Sequence, residues 1–367
     1  MKKAGGWWLL ALVVVVVLGW CLLSLWTTPL TVMGRTGSST MGFLHDPAVQ
    51  RLLRRRYHLV VQAQAYGSVA MLTEPVNQLQ FLWPESALDL EYYYAWGGEV
   101  RESHNIFHSP LVFYTWDVVT EGLRTHGIVD KRAETHYVTD FPKLLQLIES
   151  HAAWATLGLP QLYGSVKIIT TDPTKSNSGN SFAGLLANLM NRGNVVTLTD
   201  ESRLTTLVPR LHDFFARLGF LERTSDALWE QFLSEGTGAY PLIVGYENQI
   251  IEYSVAHPET RDVLRQQIRV LYPQPTVWSS HPFIALDATG ARLLHALQDP
   301  DLQRLAWERH GFRSHLYGMA HDLVSLAVPG MPAVINAVIP TPTAAVMQRL
   351  LEGLKAMSPK ASRRGGA

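Results

Sequence analysis

The feature that most limits the fold of this chain is a repeated alternation between strand-like and helix-like segments. The strand-like segments are TPLTVMG (28–34), YHLVVQAQAY (57–66), LVFYTW (111–116), GSVKIITT (164–171), PLIVGY (241–246) and PFIAL (282–286). Helical patterns lie between them, for example DFPKLLQLIESHAAWATL (140–157), and Asp46-Pro47 provides an N-cap and a first-turn proline before AVQRLLRRR. This order predicts an α/β fold with a mainly parallel sheet.

The N-terminal segment differs from the rest of the chain. Lys2 and Lys3 precede an apolar run from Trp7 to Trp26, which is about 30 Å long as a helix. Its terminal tryptophans and the preceding lysines predict a transmembrane signal anchor over 1–28, with the lysines cytoplasmic. The predicted location is therefore the cytoplasmic membrane, single-pass, with the bulk of the chain extracytoplasmic. The alternative is a cleaved signal peptide, but LSLWTTPLT lacks the small residues of a cleavage site.

Composition excludes several function classes. Lys+Arg and Asp+Glu both number 31, so the basic surplus typical of nucleic-acid binders is missing. The single cysteine, Cys21, cannot form an intramolecular disulfide or a cysteine-rich metal site. His104 and His108 have the spacing of helical metal ligands, but Pro110 disfavours a helix there. We therefore predict no metal and no cofactor.

No nucleophile is recognisable from the sequence. GSSTMG does not have the G-x-S-x-G pattern of a nucleophile elbow, and no histidine is marked out as a base. We therefore predict no catalytic residues and no enzyme activity. A hydrolase-like enzyme on the same scaffold and a ligand-free adaptor ectodomain remain the alternatives.

The segment TTDPTKSNSGNSF (170–182) places small polar groups where a strand-like segment becomes a helix. Ser176, Ser178 and Gly179 precede the apolar stripe of that helix. The free N–H groups of a first helical turn, together with serine hydroxyls, can bind an oxyanion. Ordinary helix capping is the alternative.

Three further loops repeat this arrangement. GRTGSST (34–40) contributes Ser38 and Ser39, YGS (66–68) contributes Ser68, and GYENQIIEY (245–253) contributes Tyr246 and Glu247. Polar groups that follow strands in open α/β sheets meet in one crevice. The predicted ligand-binding residues are thus Ser38, Ser39, Ser68, Ser176, Ser178, Gly179, Tyr246 and Glu247. Glu247 also has a simpler interpretation, as an acid that complements the dipole of its helix.

The order of GRTGSST, YGS, IFHSPLVFYTWD, TTDPTKSNSG, GYENQIIE and YPQPTVWSSHPFIAL resembles the extracytoplasmic solute-binding proteins of type II periplasmic-binding-protein architecture. The molybdate-like and phosphate-like, oxyanion-binding branch is the most similar. The resemblance covers about residues 29 to 350. Trp96-Gly97, in YYYAWGGEV, departs from the small polar loop that this family often has.

This resemblance implies two α/β lobes that close on a ligand. The expected division of the chain is lobe I over 29–113 and 270–350, lobe II over 114–269, and a flexible C-terminal tail over 351–367. LVFYTW and IRVLYPQP (268–275) would be the crossings. It implies capture of a small oxyanion for an ABC permease or a membrane sensor, with Arg35 and Lys175 as sources of positive charge.

Overall fold

A computed structural model describes residues 12–13, 28–199, 201–316, 318–319, 321–323, 326 and 328–357. Among these residues, no helix is both long enough and apolar enough to cross a membrane. The predicted anchor over 1–28 lies outside the described residues, apart from Leu12, Val13 and Thr28.

A first sheet is built from both ends of the chain. Its strands are β1 (Leu30–Thr36), β2 (Leu59–Ala65), β3 (Phe81–Trp83), β9 (Trp278–Ala285), β10 (Arg313–Ser314) and the first part of β4 (Glu102–Trp116). β1 pairs in parallel with β2 and β3, whereas β9 pairs antiparallel with β3 and β4. Parallel neighbours deliver their following loops to the same edge of the sheet.

A second sheet uses the middle of the chain. It contains the last part of β4 with β5 (Val129–Arg132), β6 (Thr135–Val138), β7 (Leu242–Tyr246) and β8 (Ile268–Pro273). β7 and β8 pair antiparallel with β4, and β6 pairs in parallel with β8.

Strand β4 belongs to both sheets. Its pairing with β9 ends at Pro110, and its pairing with β7 begins at Leu111. Leu111 and Phe113 contribute to one core and Val112 and Tyr114 to another, as the two-residue period of a strand requires. The chain returns between the sheets after β8, through a cis peptide bond at Gln274-Pro275.

Helices cover the faces of both sheets. In chain order they are α1 (Ser38–His45), α2 (Pro47–Tyr57), α3 (Ser68–Thr73), α4 (Ala87–Ala95), α5 (Asp117–Thr125), α6 (Phe141–Glu149), α7 (Asn177–Met190), α8 (Glu201–Ala216), α9 (Ser225–Ala239), α10 (Glu247–Ala256), α11 (Arg261–Gln267), α12 (Ala288–Leu297), α13 (Pro300–His310) and α14 (Ala344–Met357). Gly236 has non-helical angles and kinks α9. α14 packs on α8 through Val346, Met347 and Leu350.

Three expectations differ from the observed elements. The sheets are not mainly parallel, because every described pairing of the crossing strand β4 is antiparallel. The segment 164–171 is not a strand: Ile169 forms a single bridge with Ile243, and the chain then turns at Asp172-Pro173. The expected flexible tail over 351–367 is not flexible over 351–357, which complete α14, and 358–367 lie outside the described residues.

Candidate ligand-binding cleft

Residues at helix starts from the two halves of the molecule meet between two cavities, which together form the candidate cleft. The Asn177 side chain, at the start of α7, donates to the Glu85 carbonyl oxygen at 2.9 Å. Its Nδ2 also lies 3.3 Å from Ser279 Oγ, which itself donates to the Glu85 carbonyl at 2.7 Å. Glu85 and Ser279 come from the first sheet, so these bonds join the two halves. A cavity lies on each side of this contact.

The first cavity has a volume of about 230 Å³ and an acidic lining. Glu85, Asp226 and Glu252 contribute carboxyl groups, and no lysine or arginine is among the described lining residues. The remaining lining residues are Ser38, Ser39, Ser225, Trp229, Tyr246, Asn248, Gln249, Tyr253, Ala256, His257, Ser279 and His281. This charge balance disfavours an anionic ligand in the first cavity.

Glu85 already occupies the start of α1. The Ser39 N–H donates to Glu85 Oε1 at 2.7 Å, and Gly37 leaves room for that carboxyl group, because a Cβ there would lie 2.3 Å from it. The first-turn N–H group of Ser39, which could bind an oxyanion, therefore has an acceptor from the chain itself. Burial raises the pKa of Glu85, and nearby Asp226 raises it further, although the bonds from Ser39 oppose this shift.

Two other buried titratable groups of the first cavity, Asp226 and His281, do not supply positive charge. Burial raises the pKa of Asp226, and the neighbouring Glu252 adds to the shift. Burial, with a smaller effect of His108, lowers the pKa of His281 to about 3, so its imidazole is neutral near pH 7. His281 Nε2 lies 3.3 Å from Ser39 Oγ.

The second cavity is larger, about 630 Å³, and its lining is different. Lys175, Arg223 and Lys355 bring three positive charges, against the two acids Asp89 and Glu352. Its other lining residues are Gly67, Ala70, Leu72, Ser86, Leu88, Tyr92, Trp96, Pro173, Thr174, Ser176, Asn177, Asn180, Gln348 and Leu351. The cavity therefore combines donors and positive charge with apolar walls, which is the usual composition of a small-molecule site.

Two helix starts from opposite halves border the second cavity. Ser86 caps α4 by accepting from the Leu88 N–H, whereas the side chain of Ser176, the N-cap of α7, forms no capping bond. Lys175 is paired with Asp172 at 2.5 Å, while Arg223 and Lys355 have no ion-pair partner among the described residues. Arg223 and Lys355 are thus the two lining charges that a ligand can neutralise.

No family model matches this sequence, and a search of curated proteins found no match. Solved structures do match. The substrate-binding protein of an ABC transporter from Agrobacterium tumefaciens has a TM-score of 0.57 at 15% identity, over 89% of this chain and 94% of that one. Iron-bound HitA from Pseudomonas aeruginosa has a TM-score of 0.55 at 10% identity, over 89% and 98%. The sulfate-binding protein SubI from Mycobacterium tuberculosis H37Rv has a TM-score of 0.50 at 13% identity, over 88% and 96%.

The chain has the fold of the solute-binding proteins of ABC transporters. The matching proteins named above are described by what they bind and not by a reaction. One is named for iron and another for sulfate, so this fold accommodates ligands of opposite charge. The fold alone therefore does not determine which ligand charge this chain prefers, and its own lining residues must do so.

Several predicted residues lie in the cleft of this solute-binding-protein fold, but in different cavities. Ser38, Ser39 and Tyr246 line the first cavity, and Ser176 lines the second. The Tyr246 hydroxyl donates to Ser181 Oγ at 3.1 Å. Burial raises the pKa of the Tyr246 hydroxyl. Ser68 begins α3, directly after Gly67 of the second cavity.

Other predicted residues line neither cavity. Ser178 is fully buried, and its Oγ lies 2.8 Å from Thr171 Oγ1 and 2.9 Å from Ser225 Oγ. A Cβ on Gly179 would lie 2.3 Å from the Thr171 carbonyl oxygen, so this glycine serves close backbone packing. The expected role of Glu247 in the cleft does not fit its position, because it is fully buried in an ion pair with Arg313.

Arg35 and Lys175, which the resemblance suggested as sources of positive charge, have different positions relative to the two cavities. Arg35 donates to the carbonyl groups of Glu74 and Pro75 and stacks over the Tyr66 ring at 4.4 Å, away from both cavities. Lys175 lines the second cavity.

Sequence reasoning missed Glu85, Asp226, Asn177 and Arg223. Glu85 follows β3 in the stretch FLWPES and satisfies the same rule that selected the serines, a polar residue between a strand and a helix. Asp226 and Arg223 flank Thr224, the N-cap of α9, and no nearby strand marks them. Their place in the cleft depends on long-range packing.

Proposed function

We propose that this protein is an extracytoplasmic solute-binding protein, which encloses a small ligand between two lobes for an ABC-type transporter or a sensing partner. The observation that carries the proposal is the contact of Asn177 with Glu85 and Ser279, where helix starts of both halves meet between two cavities. Residues that approach one another from separate sheets can change their distance when the halves rotate. A ligand that bridges them favours the closed form.

The proposed lobes follow the expected division, 29–113 with 270–350 and 114–269, except that residues 344–350 move to the second lobe with the rest of α14. The strands β4 and β8–β9 connect the sheets and are the proposed hinge. Helix α14 is assigned by its packing to the second lobe, because its apolar residues belong to the core around α8.

The proposed ligand is a small organic anion bound in the second cavity. Arg223 and Lys355 are available for its charged group, and Ser176 and Asn180 can donate hydrogen bonds to it. Tyr92 and Trp96, stacked at 5.4 Å between ring centroids, provide a flat apolar surface beside these charges. The cavity is much larger than a bare sulfate or phosphate ion. We therefore propose that the anionic group expected from the sequence belongs to a larger molecule.

The proposal includes the membrane anchor over 1–28. Its support is the apolar sequence from Trp7 to Trp26 and the preceding lysines. An anchored binding protein stays beside its partner in the membrane, which raises its effective concentration there.

A ligand screen by thermal unfolding tests the proposed function. Organic acids, bare oxyanions, amines and sugars are compared, and an organic acid at about 100 times its Kd should add about 2.7 kcal/mol to the free energy of unfolding. Arg223→Gln should abolish that gain. Arg192→Gln is the matched control, because Arg192 is exposed and lines neither cavity.

Two results would contradict the proposal. Stabilisation by amines alone would indicate that the ligand binds in the acidic first cavity. An absence of stabilisation by every class would favour the adaptor alternative.

A further inference from the structure

Helix α2 presents an arginine-rich face for which the proposed function gives no role. Arg51, Arg54 and Arg55 are exposed, and their spacing places them on one side of the helix. Val49 and Leu53 are buried on the opposite side. The basic side chains are therefore directed away from the core of the first lobe.

These three arginines have no acidic partner within ion-pair distance among the described residues. The neighbouring Arg56 is different, because it pairs with Asp299 at 2.5 Å and with Asp301 at 2.9 Å. Arginines near a helix C-terminus complement its dipole, but this interaction leaves their guanidinium groups in solvent. Three unneutralised charges on one face can attract an anionic partner.

The place where the chain enters the first lobe indicates what this anionic partner is. The Leu30 N–H donates to the His58 carbonyl oxygen at 2.8 Å, and Leu30 pairs with Leu59 in the sheet. β1 thus starts beside the residue that ends α2. Only residues 27–29 separate Leu30 from the apolar segment ending at Trp26, a span of at most about 14 Å.

We propose that Arg51, Arg54 and Arg55 dock on the anionic phospholipid headgroups of the membrane that the segment Trp7–Trp26 enters. This inference rests on the proposed anchor. The short connection keeps the start of β1, which lies beside the C-terminal end of α2, within about 14 Å of the segment that enters the bilayer, and the Debye length in physiological salt is about 8 Å. Basic residues beside a membrane segment interact favourably with anionic lipid at this range. Docking would fix how the first lobe, and with it the cleft, faces the bilayer.

Energy transfer from the protein to labelled lipid tests the docking. The full chain, carrying Cys21→Ser and Gln62→Cys, is labelled with a donor and reconstituted into vesicles with a headgroup acceptor. Gln62 is exposed on β2, which begins just after α2. Transfer should be higher with phosphatidylglycerol than with phosphatidylcholine alone. It should fall to the phosphatidylcholine level in 1 M salt or in the triple variant R51Q/R54Q/R55Q.

The control variant R101Q/R192Q/R292Q removes the same charge from exposed arginines elsewhere and should keep the high transfer. Equal transfer on both lipids, or an equal loss in both triple variants, would overturn the docking while leaving the proposed function intact. Flotation of the vesicles tests the anchor separately. A chain that does not float with either vesicle would overturn both the anchor and the docking, and the ligand screen would still decide the binding function.

Discussion

Ser176 and Ser178 lie two residues apart at the start of α7, and their hydroxyl oxygens are 3.1 Å apart, but the two side chains differ in what else surrounds them. Ser176 lines the second cavity, whereas Ser178 is enclosed by Thr171 and Ser225. From the sequence, both were expected to contact the ligand. The direction of each side chain depends on the segment before α7, which packs against the helix at Gly179.

Ser176→Ala should therefore weaken ligand binding about 10- to 100-fold, since a hydrogen bond to a charged ligand group contributes about 1.5–3 kcal/mol. Ser178→Ala should instead lower the free energy of unfolding by about 1–3 kcal/mol and leave affinity nearly unchanged. Ser39→Ala, in the first cavity, is the control for affinity. Titration calorimetry and urea unfolding of the same three variants measure both quantities. Equal affinity losses in Ser39→Ala and Ser176→Ala would contradict the assignment of the ligand to the second cavity.

Glu85 makes stability depend on pH. Its raised pKa means that the folded state keeps the proton after the unfolded chain has lost it. The free energy of unfolding should therefore fall as pH rises from about 4.5 to the raised value, and then level off. Glu85→Gln keeps an acceptor for the Ser39 N–H but lacks this titration. The free energy of unfolding of the variant, relative to that of the wild type, should therefore increase across the same pH interval. Urea midpoints between pH 4 and 8 measure it. Glu99→Gln, on the surface, is the control, and parallel curves for wild type and Glu85→Gln would refute the prediction.

Part of the candidate site follows a local pattern in the sequence, and the predicted ligand contacts of these residues stay predictions. Ser39, Ser176 and Tyr246 stand where a local pattern predicts a polar group at a helix start, and each lines a cavity. Glu85 and Asp226 reverse the electrostatic character of the first cavity, although no local pattern connects them. They come from helix starts about 140 residues apart, and only the packing of the two sheets brings them together.

At the level of the elements, a buried ion pair joins β10 to α10. Glu247 accepts from Arg313 at 2.5 and 2.7 Å and also from the Tyr272 hydroxyl at 2.7 Å. The carboxyl group that looked like a ligand-binding acid is therefore neutralised by an arginine 66 positions away. The spacing of the sequence gave no indication of this pairing.

Arg313→Met should destabilise the fold by about 3–5 kcal/mol, because it leaves the Glu247 carboxylate buried without its partner. The double variant E247Q/R313M should lose less than the sum of its single variants. The exposed pair of Arg124 and Glu121 provides the control, and Arg124→Met should cost at most about 1 kcal/mol. Chemical unfolding is measured for the wild type, the two single variants Arg313→Met and Glu247→Gln, their double variant and Arg124→Met. Similar costs for Arg313→Met and Arg124→Met would show that the buried pair has no special role in stability.

The strand order was harder to predict than the strands themselves. β1, β2 and β7 match strand-like segments within a few residues, since alternation of side chains is a local property. The segment 164–171 has the same composition but bonds to β7 only around Ile169. A strand needs a continuous partner, and the turn at Asp172-Pro173 takes this segment away from β7.

At the level of the whole molecule, β4 and the β8–β9 connection join strands of one sheet to strands of the other among the described residues. Ligand binding should bring the lobes together, because Arg223 lies on one side of the second cavity and Tyr92 and Trp96 on the other. Donor and acceptor labels at Tyr94→Cys and Tyr163→Cys, both exposed positions, report the distance between the lobes in a Cys21→Ser background. Energy transfer should rise with ligand, and the Arg223→Gln variant should show no change. An unchanged distance at saturating ligand would argue for a rigid cleft.

The way the first sheet is assembled from both ends of the chain affects how the protein is made. β3 is synthesised early, but its neighbour β9 follows about 200 residues later, which takes roughly 10–40 s at usual elongation rates. Phe81 lacks its stacking partner Phe283 throughout that interval. The strands of the second sheet, by contrast, are consecutive from Leu111 to Pro273. We therefore expect the nascent chain to complete its middle first and to need protection of its exposed N-terminal strands from aggregation until β9 has left the ribosome.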